Sequence, residues 1–139
     1  MQIEVDPLSS VPIYQQIRDR MVEAVASGSL APGDQLASVR QLAVAFGINV
    51  ATVTKAYEAL RHEGIIRTNH KSGSVIARGP QSGPPDAAFL DEWMPRLTTL
   101  LAEAVAQGMP PREIAERSSA VLADFGAAAP HSNSEEKTE

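Results

Sequence analysis

The chain has 139 residues, of which 43% are hydrophobic and 21% charged, and its formal net charge is −5. This length suits one domain with a small appendage, and the composition is that of a folded globular protein. The absence of cysteine excludes disulfides, cysteine-containing zinc sites and a cysteine nucleophile. No apolar run approaches the roughly 20 residues that span a bilayer, and the acidic start MQIEVDPLSS is unlike a signal peptide, so we expect a cytoplasmic protein.

The charge is distributed unevenly along the chain. Residues 1–79 contain eight basic and seven acidic side chains, a balance of +1, whereas residues 80–139 contain four basic and ten acidic side chains, a balance of −6. Within residues 36–78 the balance is +4, from six basic and two acidic side chains. Because local charge decides whether a surface attracts phosphate, the acidic average does not exclude a nucleic-acid partner.

The first third of the chain predicts an arm, a helix and a turn. The segment IEVD, residues 3–6, alternates and favours a short edge strand or an arm. Pro12 suits the first turn of a helix, Gly28 ends it, and residues 31–36, APGDQL, have the composition of a turn. The apolar stripe of this helix recurs every four residues, at Ile13, Ile17, Met21 and Val25.

Two further helices follow, each with a polar residue suited to cap it. Ser38 and Gln41 have the spacing of a capping box, and Gly47 is placed to end that second helix. Asn49 is placed to cap a third helix. The predicted inward faces are Leu42, Ala43 and Phe46 on the second helix and Val53, Ala56, Tyr57 and Leu60 on the third.

Residues 65–68 and 74–77 are strand-like and are joined by the turn residues of segment 69–73. Three helices and a two-stranded hairpin predict a winged helix-turn-helix over residues 1–78, in a protein that is mainly α with a small β-wing.

The rest of the chain predicts a linker, two helices and a tail. Residues 79–86 are rich in proline and glycine, residues 87–126 carry two amphipathic helices, and residues 127–139 have the composition of a disordered tail. The first of these helices is either kinked at Pro95 or starts near it. Its apolar seam favours a homodimer interface, with packing onto its own winged domain as the alternative. The predicted interface residues are Leu90, Trp93, Leu97, Leu100, Leu101, Ala104, Val121, Leu122 and Phe125.

Residues 12–76 resemble the DNA-binding domain of the GntR family of bacterial transcription regulators. The resemblance rests on several spaced motifs, namely PIYQQI, LAPGDQL, SVRQLA, FGIN, TVTKAYEAL and EGII. The short segment after the winged domain is similar to that of the YtrA-type subfamily, where it mainly dimerises. The resemblance thus implies a homodimeric regulator, expected to repress from a near-palindromic operator, in a subfamily often found near transporter operons. We expect any small-molecule effector to bind between protomers.

The resemblance also implies where DNA binds. Arg40 matches a family arginine that contacts DNA, and its guanidinium can bind guanine through two hydrogen bonds. Recognition helices enter the major groove by their N-terminal ends, where Val50 can touch a thymine methyl group and Lys55 a phosphate. The full set of candidate DNA contacts is Ser38, Arg40, Asn49, Val50, Ala51, Thr52, Thr54, Lys55, His70, Lys71, Ser72 and Gly73.

Two positions depart from the family pattern, which often has arginine where Thr54 stands and glycine where Lys71 stands. The alternative function is a winged-helix protein-interaction module without specific DNA binding. The histidines have no metal-ligand spacing, and no nucleophile–base pair or phosphate loop is present, so we expect neither an enzyme nor a cofactor.

Overall fold

The computed structural model describes residues 3–69, 71 and 73–128. The described residues form two compact units, one reaching Gln81 and the other spanning Ser82–Ala127. The elements are α1 (Ile13–Ala26), α2 (Val39–Phe46), α3 (Val50–His62), β1 (Ile66–Asn69), β2 (Gly73–Ile76), α4 (Ala87–Ala106) and α5 (Pro111–Ala128). The prediction of a mainly helical protein with a winged helix-turn-helix is confirmed.

The ends of the first three helices are fixed by local side-chain chemistry. Ser38 and Gln41 form the predicted capping box at the start of α2, with the Ser38 hydroxyl accepting from the Gln41 amide at 3.1 Å and the Gln41 side chain accepting from the Ser38 amide at 3.0 Å. Gly47 ends α2 in the left-handed conformation, at φ 63°. Asn49 caps α3 by accepting the Ala51 amide at 2.8 Å.

One apolar core joins the three helices and the hairpin. The four predicted inward residues of α3 are its centre, since each is no more than 1% exposed. They pack with Ile17 and Met21 of α1, which are fully buried, and with Leu42 and Ala43 of α2. Phe46 is half-buried at the edge of this core. The 3.6-residue spacing of apolar side chains therefore fixes which face of α3 turns inward.

The hairpin gains a third segment that the sequence did not predict. β1 and β2 pair antiparallel, with Ile66 opposite Ile76 and Asn69 opposite Gly73. The predicted turn at residues 31–36 is present in its first half, where the Asp34 amide donates to the Ala31 carbonyl at 2.9 Å. Its second half runs beside β2, and the Leu36 amide donates to the Ser74 carbonyl at 2.9 Å. The wing is thus anchored along the chain that leads into α2.

The N-terminal segment is an arm rather than a strand in its described residues. Ile3 is buried in the core. The buried side chain of Gln16 holds the arm, because it accepts from the Asp6 amide at 2.8 Å and donates to the carbonyls of Asp6 and Val11 at 2.9 and 2.8 Å. These bonds satisfy the buried amide of Gln16 as they fix the arm.

In the second unit, α4 runs continuously through Pro95, so the alternative of a helix starting at Pro95 is wrong. Asp86 caps it by accepting the Phe89 amide at 2.9 Å. α5 continues to Ala128, past the predicted start of the tail at Ala127, and the predicted disorder of residues 129–139 lies outside the described residues. Among the helices described, none combines the length and apolar character needed to cross a membrane.

The pH dependence of folding should report the burial of Tyr57. Its hydroxyl donates to the Ala37 carbonyl at 2.5 Å, and burial raises its pKa from 10.0 to about 12. Because the folded-state pKa is the higher one, the contribution of Tyr57 to stability is complete below pH 10 and is lost between pH 10 and about 12. The difference in unfolding free energy between wild type and Tyr57→Phe should be constant from pH 7 to 9 and fall by about 1 kcal/mol by pH 11. Urea denaturation at each pH measures this difference in unfolding free energy. A difference that does not change with pH would contradict a raised pKa of Tyr57 in the folded state.

Candidate nucleic-acid interface

The start of α2 presents Arg40 to solvent on a fixed backbone. Ser38 and Gln41 cap the helix on either side of it, and the hydrogen bond from Tyr57 to the Ala37 carbonyl ties the preceding residue to α3. The side chain of Arg40 is exposed, and within the described part of the chain it forms no hydrogen bond or ion pair. An arginine that its own protein leaves unpaired retains all of its donors for a ligand.

The first turn of α3 presents a small and largely apolar surface. Val50 is 46% exposed and Ala51 is exposed, whereas Thr52 and Thr54 are half-buried. Asn49 uses its side-chain oxygen to accept the Ala51 amide. The five predicted contact residues of this turn therefore follow one another closely on the chain, and the two exposed residues of the helix itself, Val50 and Ala51, are apolar.

Lys55 lies one turn further along α3 and faces α1. Its ammonium nitrogen is 4.0 Å from the centre of the Tyr14 ring, within range for a cation–π interaction. The side chain remains exposed. Binding a phosphate would require Lys55 to leave the ring or to bind while still in contact with it.

The opposite end of α3 is fixed by ion pairing with α1. Arg18 donates to the Glu63 carboxylate through Nε at 3.0 Å and Nη2 at 2.5 Å, and through Nη1 to Asp19 at 3.0 Å. The hydrogen bond to Glu63 raises the pKa of the Arg18 guanidinium, against the opposing effect of burial. Arg61 donates to the Thr68 hydroxyl at 3.0 Å and so links α3 to β1. The Arg18–Glu63 pair was not predicted, because no local pattern relates residues 45 positions apart.

The tip of the wing is described only in part. Lys71 is exposed, and its amide donates to the Asn69 side chain at 3.0 Å. Gly73 has a φ of 70°, a conformation that suits glycine at the end of the turn. The remaining predicted wing contacts, His70 and Ser72, lie outside the described residues.

The second unit exposes much of the seam predicted as a dimer interface. Leu90, Trp93 and Leu100 are 46%, 38% and 62% exposed. On α5, Val121 and Leu122 are 52% and 69% exposed. Exposed apolar side chains mark an interaction surface where they form a large patch, so these residues are the candidates for an interface.

The other seam residues are half-buried, and one aromatic contact was missed. The half-buried side chains are Leu97, Leu101, Ala104 and Phe125. The Phe89 ring stacks on Trp93, with centroids 6.4 Å apart and planes at 22°, although Phe89 was not among the predicted interface residues. Its spacing of four from Trp93 was the available signal. In the described part of the chain no group of three or more potential metal ligands occurs.

Comparisons with known proteins agree with this geometry. Residues 13–76 match the family model of bacterial regulatory proteins of the gntR family. Over 80 residues, the chain is 45% identical to the HTH-type transcriptional repressor YtrA of Bacillus subtilis (strain 168). The match covers 58% of this chain and 62% of that repressor, which is less than two thirds of the repressor's length.

Two solved structures extend the similarity beyond the winged domain. YtrA from Sulfolobus acidocaldarius, a GntR-family transcription factor, superimposes with a TM-score of 0.58 at 36% identity, covering 75% of this chain and 97% of that one. A transcriptional antiterminator from Listeria monocytogenes EGD-e superimposes with a TM-score of 0.82 at 28% identity. The superposition covers 90% of this chain and 92% of that one.

Two substitutions at the start of α2 should separate a structural side chain from one that is free for a ligand. Ser38→Ala removes half of the capping box and should lower the unfolding free energy by about 1 kcal/mol. Arg40→Ala removes an exposed side chain that is unpaired in the described part of the chain, and it should change the unfolding free energy by less than about 0.5 kcal/mol. Urea denaturation of both variants gives the two values, and equal losses would show that Arg40 also supports the fold.

Proposed function

This chain belongs to the GntR family of bacterial regulatory proteins, with the YtrA-type architecture, and we propose that it is a homodimeric repressor that binds a near-palindromic DNA operator. As a family of transcriptional regulators, the GntR proteins are not enzymes. The observation that carries the proposal is the exposed side chain of Arg40, which has no hydrogen bond or ion pair in the described part of the chain and lies in α2, the helix that precedes α3.

The geometry supports reading of the major groove by α3. Its C-terminal half is held by the core and by the Arg18–Glu63 pair, whereas its first turn is accessible. A recognition helix placed in this way can bring the first-turn side chains to base edges. In this proposal Arg40 binds guanine O6 and N7 from the adjoining helix, and Ser38 and Lys71 are the proposed phosphate contacts.

The net charge of −5 is compatible with a polyanionic ligand because the acidic residues are concentrated elsewhere. The balance is +4 over residues 36–78 and −6 over residues 80–139. The electrostatic attraction to phosphate depends on the residues near the DNA, and more distant charges are screened over about 8 Å at physiological ionic strength.

A second copy of the chain is the proposed occupant of the apolar seam of α4 and α5. Every described residue of α4 is at least partly exposed, including the aromatic pair Phe89 and Trp93. Two protomers joined through a two-fold axis would present two recognition helices to two half-sites, which is the reason to expect an inverted repeat. We place any small-molecule effector between the protomers, where binding can alter the spacing of the recognition helices. The similarity to a repressor supports repression, and a transporter operon remains the proposed target.

DNA binding should be specific and should depend on Arg40. Selecting duplexes from a random pool with the purified protein should yield an inverted repeat, and its affinity should fall steeply with salt. Arg40→Ala should weaken binding by about tenfold or more. Arg20→Ala, which removes the same charge from an arginine paired with Glu23 on α1, should weaken it by less than about threefold. Binding without a salt dependence, or no selected duplex, would favour the alternative of a protein-interaction module.

The oligomeric state should depend on the α4 seam. Leu100→Asp places a carboxylate on the exposed seam and should convert a dimer into a monomer, because burying an unpaired charge in an apolar interface is unfavourable. Leu8→Asp is the matched control, since Leu8 is 93% exposed on the N-terminal arm. Sedimentation equilibrium measures the molecular mass in solution of wild type and of both variants. A monomeric wild type, or a dimeric Leu100→Asp variant, would contradict the proposed interface.

A further inference from the structure

The first turn of α3 lacks the side chains that usually read bases by hydrogen-bond pairs. Val50 is 46% exposed and Ala51 is exposed, whereas Thr52 and Thr54 are half-buried and Asn49 is exposed at the cap. Positions four apart on a helix are neighbours, so the methyl group of Thr54 can adjoin Val50. The turn therefore offers the methyl groups of Val50 and Ala51 as its exposed apolar contacts.

The one amide at this end of the helix is already engaged. Asn49 accepts the Ala51 amide through its side-chain oxygen at 2.8 Å. Bidentate recognition of adenine requires an amide oxygen to accept from N6 and an amide nitrogen to donate to N7. For Asn49, that contact would compete with the helix cap.

The lysine on the same helix also has a partner. The Lys55 ammonium lies over the Tyr14 ring, 4.0 Å from its centre. Recognition of a base through two hydrogen bonds therefore falls to Arg40, which comes from α2.

We propose that Val50 and Ala51 determine sequence specificity by contacting the C5-methyl group of thymine in each half-site. Thymine alone carries a methyl group in the major groove, and an apolar side chain that covers it removes both from water. The inference rests on the proposed function, because it requires α3 to enter the major groove. It adds a base identity that is read by apolar contact, separate from the guanine that Arg40 would read.

Replacing thymine by deoxyuridine tests this inference, because the change removes the methyl group and preserves base pairing. Each thymine of the selected duplex is replaced in turn, and the dissociation constant of the full-length protein is measured by fluorescence anisotropy. At one or two thymines in each half-site, we expect binding to weaken by about three- to fivefold, as for the loss of one buried methyl group.

The same duplexes are then measured with Val50→Ala and with a matched control. Val50 is partly exposed at the first position of α3, so the substitution should leave the fold intact. At one of the sensitive thymines, Val50→Ala should reduce the loss of affinity caused by deoxyuridine to less than about twofold. The reason is that alanine lacks the valine methyl groups that would contact the thymine methyl group. Leu8→Ala removes an exposed aliphatic side chain from the N-terminal arm and should leave the effect unchanged.

The outcomes separate this inference from the function on which it rests. Specific binding with no sensitive thymine would overturn the methyl contact and leave the regulator intact. If every sensitive thymine responds equally in wild type and Val50→Ala, then Val50 contacts none of them, and its assignment as a specificity determinant is overturned. Failure to select any duplex would overturn the proposed function together with this inference.

Discussion

The burial of one face of α3 is the constraint on which the other features of the first unit depend. Val53, Ala56, Tyr57 and Leu60 are at most 1% exposed, and burial of an aliphatic or aromatic side chain contributes roughly 1.5–3 kcal/mol. A helix held by four such residues cannot rotate without exposing them. Its first turn is therefore accessible as a consequence of packing, and the Tyr57 hydroxyl extends the same constraint to the residue before α2.

The polar side chains near this surface divide into two groups. Ser38 and Asn49 satisfy backbone amides at helix ends, and Lys55 contacts an aromatic ring. The two caps fix the backbone at the helix ends. All three contacts also occupy polar or charged groups that could otherwise bind a ligand. Arg40 is different, because helix caps hold its backbone while its guanidinium is left unpaired in the described chain. The proposed readout follows from this division, with guanine bound by Arg40 and thymine contacted by Val50 and Ala51.

Features determined by neighbours in sequence could be predicted, and features determined by distant partners could not. The capping box at Ser38, the left-handed Gly47 and the cap at Asn49 each involve partners within a few residues, so the residue types themselves indicate the structure. The pairing of Gln35 with Val75 and the ion pair of Arg18 with Glu63 join segments 40 or more residues apart. Nothing in the local sequence relates those partners.

The proline of α4 shows a different limit of sequence reasoning. Pro95 removes one helical hydrogen bond, which can either end a helix or be tolerated within it. The structure shows tolerance, with Asp86 capping a helix that continues to Ala106 and with Thr99 donating to the Pro95 carbonyl at 3.1 Å. The sequence could not distinguish the two outcomes, because each is compatible with the same apolar spacing.

Methylation interference on the selected operator tests the central claim most directly, because methylation of guanine N7 blocks an acceptor that Arg40 would use. The account predicts one strongly interfering guanine in each half-site, the two related by the two-fold axis of the operator, and loss of that interference pattern when the weak residual binding of Arg40→Ala is assayed. Interference confined to one side of the operator, or a pattern unchanged in Arg40→Ala, would contradict it.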